Sequence, residues 1–190
     1  MGIDEKISFL NGKKPFPKYT QNSLEEDFKL RFIYHSINIE GNTLSLMETK
    51  VILEGIAVSN HSLEEHLMVT RLERGYDYIV NTQKNGEAFN FKELCTLTEI
   101  TDIGYIEEVY SILDKVNFGD KLIWKGILDL CIKIHDRLIE INGYLARLIV
   151  NYILIEFGYL PVIIKDYEGN LESIIENSEN EMIDLYLELV

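Results

Sequence analysis

The chain has 190 residues, 46% of them hydrophobic and 26% charged, with a formal net charge of −14, the balance of a globular protein with one substantial core and no room for two large domains. An acidic surface repels phosphate backbones and anionic lipid, and the one visible basic pair, Lys13-Lys14, stands alone, which argues against nucleic acid or membrane partners. Met1 to Lys6 lacks the regions of a signal peptide, Arg147 and Asn151 interrupt the longest apolar run, and Cys95 and Cys131 fit no zinc spacing, so the expectation is a cytoplasmic protein with two reduced thiols.

Residues 1–22 are polar and carry Pro15 and Pro17, which predicts a surface arm, with a single folded domain over 23–190. Ser23-x-x-Glu26 has the spacing of a capping box and opens a long helix over 23–41 that buries Phe28, Phe32, Ile33 and Ile37 and stops at Gly41. A second box, Ser45-x-x-Glu48, opens a short helix that Gly55 closes, and a third, Ser62-x-x-Glu65, opens a longer one that stops at Lys84-Asn85-Gly86. Asn90-x-x-Glu93 starts another, Thr101-Asp-Ile-Gly104 reads as a turn, and Tyr105 to Val116 as a further amphipathic helix. Two strongly apolar helical patterns then form a core pair over 121–158, meeting at Asn142-Gly143, where Gly tolerates positive φ and Asn hydrogen-bonds its own backbone. Val162 to Ile164 suits a short extended segment, and Leu171 to Val190 one or two helices broken near Asn177-Ser178. The fold class is all-α, a helical bundle around a central hairpin.

No histidine among His35, His61, His66 and His135 sits in a metal-ligand spacing, and no Gly-rich phosphate loop or nucleophile elbow is present. Two features carry chemistry. A helix starting at Asn142-Gly143 points bare backbone N–H groups at the break, an anion site with Arg147 one turn in; on spacing alone the same residues read as a kinked hairpin with a snorkelling Arg. In Ser36-Ile-Asn-Ile-Glu40-Gly41-Asn42, Glu40 stands at the negative end of a helix dipole and needs a cation, for which Arg147 is the nominee.

At these two features the sequence resembles the Fic (filamentation induced by cAMP) family of protein adenylyltransferases. Ser36-Ile-Asn-Ile-Glu-Gly41 is similar to that family's N-terminal inhibitory-helix motif, Ser/Thr-x-x-x-Glu-Gly/Asn, and Asn142-Gly-x-x-x-Arg147-Leu148 with Phe157-Gly-Tyr-x-Pro161 is similar to its core helix pair. The similarity runs over residues 23–165 and breaks at one place. The family pattern is His-Pro-Phe-x-Asp/Glu-Gly-Asn-Gly-Arg-x-x-Arg, and here Ile141 passes directly to Asn142, so its first six residues are absent. The resemblance implies that the missing His would be the general base and the missing carboxylate the magnesium ligand, and that Tyr144 replaces a phosphate-binding Arg. Thr101 to Gly104 also leaves no room for the family's target-aligning flap.

The expectation from sequence is therefore a degenerate Fic-fold protein with no catalytic or metal-binding residues. Asn142, Gly143 and Arg147 remain of the anion site, and Ser36, Glu40 and Gly41 form the inhibitory motif that closes it. ATP and magnesium enter this reading only if the corner is open, and the expected partner is another protein, a target or an active relative. The alternative is an active nucleotidyl (AMP) transferase or de-AMPylase using His135 or Glu140 as base; His135 lies two helical turns before Asn142, roughly 10 Å by helical rise.

Overall fold

A computed structural model describes residues 2–85, 91–102, 107, 111 and 123–188. Its helices are α1 (Ile3–Asn11), α2 (Lys18–Ile39), α3 (Leu46–Leu53), α4 (Leu63–Lys84), α5 (Phe91–Thr101), α6 (Trp124–Leu138), α7 (Gly143–Glu156) and α8 (Leu171–Leu187), and no strand occurs among the described residues. The fold is all-α, as the periodicity requires. The helix expected over Tyr105–Val116 falls outside the described residues except at two positions, and so do Ile103 and Gly104 of the turn before it.

Helix α7 is the centre. Every residue from Leu145 to Leu154 is buried, so the helix is enclosed on all sides and not along one stripe. It forms the expected hairpin with α6, whose Ile127, Leu128, Cys131, Ile134 and Leu138 are all at most 1% exposed, and it also packs on α2 and α4. Each fully buried Leu or Ile contributes about 1.5–3 kcal/mol of burial free energy. Close approach of α4 depends on Gly75, where an added Cβ would stand 2.8 Å from Leu148 Cδ1 and from Thr101 Cγ2.

The capping boxes at Ser45 and Ser62 form as their spacing predicts: Glu48 N donates to Ser45 Oγ at 3.3 Å and Glu65 N to Ser62 Oγ at 3.2 Å. His61 joins the two, with Nε2 3.3 Å from Glu48 Oε1 and Nδ1 3.3 Å from Glu65 Oε1. These carboxylates, Glu65 first, raise the imidazole's affinity for a proton. Gly41, Gly55 and Gly158 all stop helices with positive φ, the left-handed closure that glycine adopts without strain.

The N-terminus differs from the expected arm. Residues 3–11 are helical and pack on α8, burying Ile3 and Leu10; their spacing of seven, with Ile7 between, is a helical stripe that the neighbouring prolines mask. Helix α2 begins at Lys18 with Pro17 as N-cap, so Ser23-x-x-Glu26 lies inside it and caps nothing. Proline just before a helix is compatible with starting one, since its fixed φ suits the first turn. Helix α8 runs through Asn177-Ser178 without a break.

Between α7 and α8, residues 159–167 have no regular secondary structure and are held by side chains. Asn151, 1% exposed, donates to Val162 O at 3.1 Å and accepts from Val162 N at 2.7 Å. Ser178 Oγ accepts from Ile163 N at 2.7 Å and Glu179 Oε1 from Leu160 N at 2.9 Å. These bonds satisfy backbone groups that no helix or sheet pairs. Glu179 is fully buried, its Oε2 has no partner among the described residues, and burial pushes its pKa from 4.5 up to about 8. The folded state thus holds a proton that the unfolded chain releases, and the stability this gives is intact below pH 4.5 and lost as pH rises through about 8. Glu179→Gln, which keeps an acceptor for Leu160, is expected to remove most of that slope and to raise Tm by several degrees near pH 8.5, read by thermal melts across pH.

Candidate functional site

The loop between α6 and α7 is only Ile139 to Asn142. Asn142 is the N-cap of α7, extended at φ −161°, and its Oδ1 accepts from Leu145 N at 3.0 Å. Gly143 is the first helical residue, without positive φ. Its glycine is required for space and not for conformation: a Cβ there would collide with Glu40 Oε1 and come within 3.0 Å of Arg147 Nη1.

The chain therefore lays a carboxylate of its own against this helix N-terminus. Glu40 caps the C-terminus of α2, and the turn through Gly41 at φ +86° leads away from it. Its carboxylate lies against the N-terminus of α7, so it leaves the negative end of one helix dipole for the positive end of another. Asn42 fixes the turn, donating to Glu65 O at 3.1 Å and accepting from Leu44 N at 3.0 Å.

Arg147 is 0% exposed. Its Nη2 donates to Glu40 Oε1 at 2.8 Å and to the carbonyl of Ser36 at 2.9 Å, and its Nη1 donates to Tyr167 Oη at 2.9 Å. The guanidinium carbon stands 5.5 Å from the ring centroid of Tyr144, within cation–π range. Arg147 Nε and Tyr144 Oη are buried without hydrogen-bond partners among the described residues. A buried cation needs a counter-charge; among the described residues Glu40 is the carboxylate paired with it. Ser36, Glu40, Gly143 and Arg147 meet as the sequence motifs suggest, although Ser36 contributes its carbonyl oxygen to the cluster.

Nothing in the sequence around it marks Tyr167. It follows the irregular segment anchored by Asn151 and sits between two buried side chains, accepting from Arg147 and lying 3.0 Å from His135 Nε2. The phenol oxygen has a second lone pair and one proton, so it can accept from or donate to His135 Nε2 according to the imidazole tautomer. His135 is 3% exposed, and its proton affinity is lowered by burial first and by Arg147 further down, against a raising contribution from Asp136. His135 thus reaches the cluster through Tyr167, while Glu140 is exposed in the turn before α7.

As arranged, this corner does not fit a nucleotide phosphate, because a carboxylate stands where the phosphate oxygens would meet the helix N-terminus. No group of three His, Cys, Asp or Glu suited to a metal ion occurs among the described residues.

No protein-family model matches the chain. Curated sequences do match: it is 29% identical over 181 residues to proteins described as protein adenylyltransferase Fic from Aedes aegypti and Culex quinquefasciatus, covering 74% of this chain and 35% of each relative. The chain thus spans about a third of the length of these relatives. Among solved structures, a Fic-1 fragment from C. elegans superposes with a TM-score of 0.81 at 19% identity, covering 99% of this chain and 70% of that one. A Fic domain containing signaling protein from Bacteroides thetaiotaomicron does so with a TM-score of 0.72 at 18% identity, covering 99% and 97%. No helix among the described residues is long and apolar enough to cross a membrane.

Proposed function

We propose that the chain, which is similar to Fic adenylyltransferases in sequence and to Fic proteins in fold, is a catalytically silent member of the Fic family, a pseudoenzyme that keeps the helical scaffold and acts by binding another protein in the cytoplasm. The observation that carries this reading is the Glu40 carboxylate lodged over Gly143 and hydrogen-bonded to buried Arg147 at 2.8 Å. It takes the place of an anionic ligand at the helix N-terminus, and the residues that would supply the base and the magnesium ligand have no counterpart between Ile141 and Asn142. In this reading Ser36, Glu40 and Gly41 are a former inhibitory motif turned into a structural clasp.

The alternative, a transferase or de-AMPylase with His135 as base, draws on the link from His135 through Tyr167 to Arg147. His135 Nε2 is already occupied by the Tyr167 hydroxyl, and the residue is 3% exposed. A general base must reach its substrate's proton directly or through one water. The test is incubation of the intact protein and of Glu40→Gly with ATP and magnesium, followed by intact-mass measurement and by calorimetry with ATP, ADP and AMP. The expected result is no mass gain and no saturable heat in either form. Addition of AMP to this chain or to an added protein would overturn the proposal.

A further inference from the structure

His61 lies in the loop between α3 and α4, with its side chain 13% exposed. Its Nε2 faces Glu48 Oε1 of α3 and its Nδ1 faces Glu65 Oε1 of α4, each at 3.3 Å. The same Glu65 oxygen accepts from the Thr43 hydroxyl at 2.6 Å and from Thr43 N at 3.3 Å, and the Glu65 carbonyl accepts from Asn42 Nδ2 at 3.1 Å. Thr43 stands three residues after Glu40, so Glu65 ties the turn behind the clasp carboxylate to the start of α4. One imidazole thus joins the starts of two helices and, through Glu65, the turn that leads away from Glu40.

A neutral imidazole has one N–H donor and one bare lone pair, and only the imidazolium donates from both nitrogens. With a carboxylate on either side, a neutral ring aims its lone pair at one of them. Both carboxylates stay ionised through neutral pH: hydrogen bonds from Ser45 hold Glu48 below the ordinary range, and those from Thr43, then Ser62, hold Glu65 well below it. Among the described residues, His61 is the cation paired with each of these acids, and the third group against the ring is the uncharged Thr43 hydroxyl, 3.5 Å from Nδ1. Proton loss therefore leaves two carboxylates with no cation between them at the starts of α3 and α4, where like charges repel.

We infer that His61 is a proton-operated latch: its imidazolium holds the starts of α3 and α4 together around the Thr43 turn, and loss of the proton loosens that turn and with it the Glu40 carboxylate in the clasp. The folded chain holds this proton more tightly than the unfolded one, whose ordinary value is 6.5. The latch is therefore complete below pH 6.5 and is lost as pH rises through the raised folded value. It depends on the Glu40–Arg147 contact and not on whether the protein is catalytically silent.

The test follows the full chain by NMR from about pH 5.5 to 8.5. The His61 ring shifts should give a midpoint above 6.5. Across that midpoint, exchange of the Asn42, Thr43 and Leu44 amides, corrected for its intrinsic pH dependence, should show protection falling by about two- to fivefold. The Gly143 amide shift, which senses the Glu40 carboxylate above it, should move with the same midpoint. Glu48→Gln keeps an acceptor for Ser45 and should lower the midpoint. His61→Gln should abolish the changes in the turn and at Gly143 and retain those caused by Glu179, which titrates at about 8. A His61 midpoint at or below 6.5, a midpoint unmoved in Glu48→Gln, turn protection or a Gly143 shift that stays flat, or the same changes in His61→Gln would overturn the latch.

Discussion

Arg147→Ala is expected to cost about 3–5 kcal/mol of folding stability, which for a chain of this length lowers Tm by roughly 6–20 °C. The guanidinium is fully buried and makes three hydrogen bonds, to Glu40, the Ser36 carbonyl and Tyr167. Truncation leaves a cavity in the middle of the bundle and strips all three acceptors of their donor. The Glu40 side chain is 31% exposed, so water can recover part of its loss; the Ser36 backbone, in a residue 1% exposed, has less access to it. Salt should hardly change the difference between variant and parent, because a pair with one fully enclosed partner is poorly screened. The double variant Arg147→Met with Glu40→Leu should regain much of the loss, since an apolar pair carries no desolvation cost. Urea titration followed by circular dichroism reads all three; a loss below about 1 kcal/mol for Arg147→Ala would show that the guanidinium is not the centre of a buried cluster.

Much of this was legible in the sequence, for reasons that differ from element to element. The boxes at Ser45 and Ser62 act within four residues, so spacing alone finds α3 and α4. Helix α7 was legible because its apolar residues leave no polar face. Ser23-x-x-Glu26 has the same spacing as the true boxes yet lies within α2, because packing of Phe28 and Phe32 against α4 lets the helix run back to Pro17. The Glu40–Arg147 pair could be nominated because each charge was locally unfavourable and only the other could settle it. Tyr167 could not. Its position depends on Asn151 holding Val162 by two reciprocal hydrogen bonds, a contact between a helix and an irregular segment that leaves no periodic trace. The role of Gly143 was half legible: a glycine at the corner was expected to supply a turn, and it supplies room for a carboxylate that arrives from a hundred residues earlier.

Gly143→Ala tests that last point by a reversal of sign. In an ordinary helix the replacement is favourable by up to about 1 kcal/mol, because alanine loses less backbone entropy on folding. Here the new Cβ meets Glu40 Oε1 and approaches Arg147 Nη1, so the carboxylate must leave the helix N-terminus or the corner must widen. The expected cost is roughly 1–3 kcal/mol, the usual range for an overpacked site. Glu40→Gly removes the obstacle without disturbing the helix end, since Glu40 has φ −87° and ψ 13°, a conformation open to any residue. In that background Gly143→Ala should become neutral or stabilising, giving an interaction energy of about 1–4 kcal/mol in a double-mutant cycle. If the two substitutions instead add, the carboxylate does not occupy the space over Gly143. The helix N-terminus would then be free for an external anion, and the self-filled site on which the proposal of a silent protein rests would be lost.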